Sequence, residues 1–293
     1  MPLTDALKDS ILHHIPGAST TEAPIRFTSI PGGSINDTYR ISIVHQPDLF
    51  VKINSATSYP GLFTCEADGL GLLKQCGAKT PDIIAGFAGD NWQFLLLKWI
   101  NPGIKTSGFW KKFGETLASL HHHESEHFGL DHDNYIGALP QYNLPSQNWI
   151  DFFTQQRLGP QLEDAGKYLT DRHRSAFRRL FDQLPSLFND EMPCLLHGDL
   201  WNGNFLCDEL NEPVLIDPAV YYGHRSMEFA MTTLFGGFDR LFYEAYNYHF
   251  PFPDNHEEQW QICQLYPLLV HVNLFGRTYL SDIESILKKY GNF

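Results

Sequence analysis

The amino-acid sequence predicts an α+β fold in two lobes, an antiparallel sheet with a helix over residues 1–100 and a mainly helical lobe over residues 101–293. Three observations predict it. Short runs with strand-like alternation, separated by Gly, Pro and Asp/Asn turns, crowd the first hundred residues. Helical apolar spacing dominates beyond them. Asn101-Pro-Gly103 breaks the chain between the two patterns.

Residues 4 to 15 read as a short amphipathic helix, followed by a Gly/Ser/Thr stretch. Ile25 to Ile30 alternates as a strand does, and Pro31-Gly-Gly-Ser34 turns the chain. Thr38 to Val44 is a second strand, Pro47-Asp48 a turn, and Leu49 to Ile53 a third strand. Phe63, Glu66, Ala67, Leu70 and Leu73 then recur at helical spacing, with Gly77 as the C-terminal cap. Ile83 to Phe87 and Trp92 to Leu97 are two further strands around Asp90-Asn91. In the second lobe, Phe109, Phe113, Leu117 and Leu120 mark one face of a helix running to His121. Trp149 to Leu158, Leu180 to Phe188 and long stretches after Arg225 read the same way. Cys194 to Leu196 and Val214 to Ile216 are short apolar runs bounded by polar motifs, which fits buried strands presenting loops.

Composition narrows the function. A net charge of −13 repels phosphate backbones, so a nucleic-acid partner is not expected. Hydrophobic residues at 43% suffice for a buried core, and aromatics at 14% leave some to line a pocket. The five cysteines are odd in number and lack C-x-x-C spacing, which disfavours a disulfide framework or zinc site and favours a reducing compartment. No apolar run approaches the length of a membrane span, and the N-terminus reads as a helix and not a signal peptide. A cytoplasmic protein, a monomer by preference, is expected.

The chemistry concentrates in His197-Gly-Asp-Leu-Trp-Asn-Gly-Asn204 and Ile216-Asp-Pro-Ala219. Asp199 and Asn204 share a loop after one apolar run, and Asp217 ends the next. Phosphoryl transfer calls for these residue types. Its transition state spreads negative charge over oxygens, so catalysis is positioning plus charge neutralisation. Magnesium prefers oxygen ligands, which Asp217 and Asn204 supply, while Asp199 can accept the proton of a substrate hydroxyl. Upstream, Gly32 and Gly33 would let backbone N–H groups approach phosphates. Lys52 would reach the α/β-phosphates, and Glu66 on the next helix would hold it by an ion pair. Each piece alone has a bland reading: a hairpin turn, a solvated lysine, a surface glutamate. Their order is that of a protein-kinase-like fold. A metal hydrolase is the weaker reading, because H-E-x-x-H is absent and His121, His122 and His123 point in different directions on a helix. No G-x-S-x-G elbow or GxxxxGK[ST] loop is present.

These motifs resemble the fructosamine/ketosamine kinase family, related to aminoglycoside and choline kinases. The resemblance rests on HGDLWNGN, on IDPAVYYGHR, and on Met227 to Phe238. Pro31-Gly-Gly-Ser-Ile35, Phe50-Val-Lys-Ile-Asn54, the Phe63-x-x-Glu66 pattern, Asp133-Asn-Tyr-Ile-Gly137, Gln141, Asn143 and Trp149 extend it along nearly the whole chain. It implies an ATP- and Mg2+-dependent kinase of ketosamines, free or on glycated protein amines, with transfer to the sugar 3-hydroxyl. By position it makes Asp199 the base, Asn204 and Asp217 the metal ligands, and Lys52 and Glu66 the phosphate-gripping pair. Gly32, Gly33 and Ser34 would hold phosphates. Leu95 to Ile100, with Leu97 and Trp99, would be the connection whose backbone bonds the adenine. Trp201 would flank the sugar, and Tyr222, His224 and Arg225 are expected in the substrate pocket, although Glu228 could instead tie Arg225 structurally. Ser34 stands where many family members carry a cysteine, which puts redox control through that position in doubt. Ser226-Met227 and Phe229 also depart from the family pattern and leave acceptor preference open. An aminoglycoside, a choline-like amine or another small alcohol is the alternative acceptor, and a catalytically dead nucleotide-binding module the alternative class.

Overall fold

The computed structural model describes residues 3–18, 24–31 and 35–293. The Gly32-Gly33-Ser34 phosphate loop expected from the sequence lies outside them.

Helix α1 (Asp5–His13) starts at Thr4, whose hydroxyl accepts the N–H of Leu7. It is followed by strands β1 (Ile25–Ser29), β2 (Asp37–Ile43) and β3 (Leu49–Ser55), helix α2 (Leu62–Gln75), and strands β4 (Ile83–Ala88) and β5 (Trp92–Lys98). The strands form one antiparallel sheet in the order β1-β2-β3-β5-β4. Alternation along β3 and β5 divides its two faces. Leu49, Val51, Ile53, Phe94 and Leu96 join Leu7 and Ile11 of α1 in one apolar cluster. Phe50, Leu95 and Leu97 join Leu62, Phe63 and Leu70 of α2 in another. Lys52 shares the α2 face, because it pairs with Leu95 as Phe50 pairs with Leu97. A one-residue slip of β3 would turn the lysine into the α1 cluster. Gly77 follows α2 at φ +89°, and the bonds from Ala78 N to Leu73 O (3.0 Å) and Gly77 N to Lys74 O (3.1 Å) close the helix end.

The rest of the chain is mainly helical. Helix α3 (Ser107–His121) packs along the later helix of residues Arg240–His249, and a Cβ on Gly114 would lie 2.3 Å from Phe242 O, so only glycine permits that approach. Strands β6 (Asn134–Ile136) and β7 (Leu139–Gln141) form a hairpin. The helix predicted from Trp149 to Leu158 is two helices, α4 (Trp149–Phe152) and α5 (Gly159–Asp164), joined by a π-helical turn over Phe153–Leu158. The Thr154 hydroxyl donates back to Ile150 O at 2.7 Å, and Pro160 lacks the N–H a regular helix needs. Helix α6 (Asp171–Leu187) begins nine residues before the predicted Leu180, capped by Thr170 and His173. Its first turns are polar and hide their periodicity.

Strands β8 (Cys194–Leu196) and β11 (Tyr221–Gly223) pair, as do β9 (Phe205–Cys207) and β10 (Pro213–Leu215). The chain ends in α7 (Ser226–Leu234), α8 (Arg240–His249), α9 (His256–Cys263), α10 (Leu265–Phe275) and α11 (Leu280–Tyr290). Among the described residues no helix is long and apolar enough to cross a membrane.

Candidate active site

Lys52 is the hinge of the site. It is 3% exposed, and its Nζ lies 2.6 Å from Glu66 and 2.5 Å from Asp217. Burial works against its charge, but the Asp217 and Glu66 carboxylates overcome that and hold its pKa above the ordinary lysine value. Burial pushes the Glu66 carboxyl up, and Asp217 adds to the push while Lys52 opposes it. Helix α2 rests directly on the segment after Asp217: a Cβ on Gly69 would sit 3.2 Å from Pro218 and 3.3 Å from Val220. Tyr135 in β6 ties the approach to α2 by donating to Pro60 O at 2.9 Å. Asn54, two residues past Lys52 on the same face, donates to Ile35 O and to Asn36 Oδ1, and so ties β3 to the segment that leads into β2.

The loop after β8 carries Asp199 and Asn204. His197 is fully buried; its Nε2 bonds Ile216 O at 2.8 Å and its Nδ1 receives the Asp199 N–H at 3.3 Å. Those partners require the neutral tautomer protonated on Nε2, and burial lowers the ring's pKa accordingly. Glu228, also fully buried, accepts the N–H of His197 at 2.6 Å and of Gly198 at 3.2 Å. Asn204 donates to Asp199 O at 2.8 Å and to its Oδ2 at 2.9 Å. Burial, joined by Asp217, pushes the Asp199 carboxyl well above the usual carboxylate range, while Asn204 works the other way. Asp217 itself has φ +55°, a sparsely populated conformation for a non-glycine residue.

The oxygens suit magnesium. With its NH2 bound to Asp199, the Asn204 amide must turn its carbonyl oxygen elsewhere, and the Asp217 carboxylate remains half-exposed beside Lys52. Among the described residues no group of three His, Cys, Asp or Glu forms a self-contained metal cage. Magnesium does not need one, because it keeps water and takes substrate phosphates as ligands.

Lys52, Glu66, Asp199, Trp201, Asn204 and Asp217 all line one cleft of about 300 Å³. Trp201 is 39% exposed, at the start of an aromatic wall that continues through Phe235 (6.3 Å between ring centroids) to His271 (5.0 Å) and Phe275 (5.6 Å). His271 bonds Pro267 O through Nδ1 at 2.7 Å, and burial lowers its pKa. His271 and Phe275 are not singled out in the sequence, because they lie far from the loop motifs along the chain and sit on an otherwise ordinary helix. Phe235, Tyr135 and Asn134 are marked there only through the family motifs.

Other expected site residues fall outside the cleft. Tyr222 pairs with Leu195 across β8–β11 and lines a second cavity behind α2, between Leu72, Phe128 and Leu130. Arg225 is locked by Glu191 (2.8 Å) and by the carbonyls of Phe250 and Pro251. Glu228, the partner suggested from the sequence, instead holds the His197 loop. His224 is buried against Trp149 and Phe188, and burial drops its pKa to about 4. Leu97 belongs to the apolar cluster under α2, and Trp99 lies beneath the Arg40 guanidinium at 4.5 Å. The amides of Lys98 and Trp99 already donate to Asp82 O and Asp48 O, so neither is free to bond an adenine.

A sheet lysine paired with a helix glutamate, facing an Asp/Asn loop and a second aspartate, defines the class: a phosphotransferase of kinase-like fold. The comparisons narrow it. The fructosamine kinase family model matches residues 8–292. The chain is 39% identical to a probable ketoamine kinase of Lactiplantibacillus plantarum, over 89% of this chain and 92% of that protein. It is 36% identical to the chloroplastic protein-ribulosamine 3-kinase of Arabidopsis thaliana, over 89% of this chain and 81% of that one. A crystal structure assigned as a fructosamine-3-kinase from Thermobifida fusca superposes with a TM-score of 0.83 at 32% identity, covering 96% of this chain and 99% of that chain. An ADP-bound aminoglycoside phosphotransferase, at TM-score 0.62 and 16% identity over 99% of each chain, shares the fold alone. The chain belongs to the fructosamine kinase family, and it is a kinase.

Proposed function

We propose that the protein transfers the γ-phosphoryl group of ATP to the 3-hydroxyl of the sugar in fructosamines or ribulosamines, free or on protein amines, and so serves the repair of glycated amines. The observation that carries this reading is the convergence of Lys52, Glu66, Asp199, Asn204 and Asp217 on one cleft beside an aromatic wall. Residues 1–100 act as the nucleotide-binding lobe and residues 101–293 as the catalytic and acceptor lobe.

Asp199 takes the proton of the acceptor hydroxyl as its oxygen bonds the γ-phosphorus, and the bond to the bridging oxygen of ADP breaks. Lys52 holds the α/β-phosphates, with Glu66 fixing its position. Asn204 and Asp217 would hold Mg2+, which would supply positive charge to the phosphate oxygens. Gly32, Gly33 and Ser34, which lie outside the described residues, are assigned to the phosphates from the sequence motif alone. Trp201, Phe235 and Phe275 offer aromatic faces to the sugar and its cationic amine. An acceptor with several ammonium groups would call for further carboxylates, and Glu66, Asp199 and Asp217 already have other work. The five free cysteines suit a reducing cytoplasm.

An ATP-consumption screen over glucose- and ribose-derived ketosamines, beside choline and aminoglycosides, tests the reading. Turnover with the ketosamines is expected; turnover confined to choline or aminoglycosides contradicts it.

A further inference from the structure

Arg157 is fully buried on the π-helical turn, and its hydrogen-bond partners are neutral oxygens: the carbonyls of Tyr142 and Gln156 and Oδ1 of Asn143 (2.7 Å). Its guanidinium lies 3.9 Å over the Tyr221 ring and 4.5 Å over the Phe152 ring. A buried cation is costly, so a site that keeps one has a reason beyond filling space.

The bonds leading away from it run in one direction. A guanidinium only donates, so Asn143 must turn its oxygen to Arg157. The Asn143 NH2 then faces His132 O (3.0 Å) and Asn134 Oδ1 (3.2 Å). That leaves the Asn134 NH2 facing Val220 O at 2.8 Å. Gln141 reaches the same place from its other side. Tyr266 donates to its Oε1 at 2.9 Å, and its NH2 donates to Asn134 Oδ1 (2.8 Å) and Ala219 O (3.0 Å). Each amide has one orientation that satisfies all its neighbours, and Arg157 and Tyr266 sit at the two ends that select it.

The carbonyls so held belong to Ala219 and Val220, two and three residues past Asp217. Gly198 presses on the same Ala219 carbonyl, and Ala219 N bonds His197 O at 2.9 Å. The segment is therefore clamped between the Asp199 loop and the amide chain, and the strained Asp217 stands at its head. We propose that Arg157 and Tyr266 are positioning residues for the metal-binding carboxylate of Asp217, acting through Asn143, Asn134 and Gln141. The inference rests on the reading of Asp217 as a magnesium ligand.

The test is calorimetric titration of ADP into the full-length protein at a series of Mg2+ concentrations, with metal-free ADP binding as the control. Asn143→Asp keeps an acceptor for Arg157, and gives it a counter-charge, but removes the donor to Asn134. Tyr266→Phe keeps the ring and removes only the donor to Gln141. For Asn143→Asp, the Mg2+ needed for half-maximal enhancement of binding should rise roughly tenfold, the low end for losing a residue that orients a metal ligand. A smaller rise is expected for Tyr266→Phe, and metal-free binding should be unchanged in both. Should Asn143→Asp fail to fold, Tyr266→Phe decides. A wild-type Mg2+ requirement in the folded variants, with a raised one in Asp217→Asn, overturns the relay alone. A wild-type requirement in Asp217→Asn overturns the metal assignment and the relay with it.

Discussion

Gly198 and Ala219 meet so closely that a Cβ on the glycine would lie 2.0 Å from the alanine carbonyl oxygen, and Gly198 holds φ +82°. This contact sets the distance between the loop of Asp199 and the segment of Asp217. Gly198→Ala combines a left-handed backbone with a backbone clash, at a cost of about 2–4 kcal/mol. Thermal melting should show that loss, and kcat should fall with it. Wild-type melting and turnover in this variant would mean the two segments can separate without consequence.

Asp199→Asn should lower kcat by roughly 10²–10⁴, the usual contribution of a positioned general base. ADP affinity should stay near wild type, because Asp199 bonds Asn204 and makes no direct bond to Lys52 or Asp217, and Asn at this position still accepts from Asn204. Steady-state kinetics with calorimetry check this; comparable losses in turnover and nucleotide affinity would speak for a binding role.

The motif residues were legible because phosphoryl transfer demands a fixed order of chemical types, and that order survives in one dimension. Lys52 and Glu66 were found that way, and the strand alternation that places Lys52 on the α2 face is also visible in sequence. The fates of Tyr222, His224 and Arg225 were not. Their closeness to Asp217 along the chain suggested the cleft, but β11 turns away to pair with β8, and Glu191, far upstream, captures Arg225. The aromatic wall was equally hidden, because Phe235, just after α7, and His271, in α10, are far apart in the chain and meet only in the fold.

Lys52→Met strands the buried Glu66 without its cation, and removing one partner of a buried pair costs ~3–5 kcal/mol. Adding Glu66→Gln to it should restore part of the melting temperature and none of the activity. Denaturant unfolding of both variants decides; equal stability of the single and double variants would argue that the pair carries little energy.

Acid should unfold the protein through its buried neutral histidines. His224 has its pKa depressed from 6.5 to about 4, and burial lowers His121 and His197 as well. The unfolded chain therefore binds more protons than the folded one between those values. The contribution to stability is complete above pH 6.5 and is lost progressively toward pH 4, about 3 kcal/mol for His224 alone. Melting temperatures measured from pH 7 to pH 4.5 should fall, and His224→Gln should flatten the slope. A pH-independent melting temperature would refute the burial argument.

Phe235→Ala should raise the acceptor KM about two- to twelvefold, the ~0.5–1.5 kcal/mol of a lost aromatic contact. Tyr222→Phe, outside the cleft, should leave it unchanged. Acceptor titrations at saturating ATP separate the two; the reverse pattern would place the acceptor in the cavity behind α2.

Transfer of phosphate from ATP to a sugar hydroxyl of a ketosamine, with Asp199 as base, can be watched by phosphorus NMR of a reaction with ATP, Mg2+ and a ribose-derived ketosamine. A new phosphomonoester should form on the sugar 3-hydroxyl and should be lost in Asp199→Asn. An unmodified ketosamine, or equal product from the variant, would refute both the reaction and the role of Asp199.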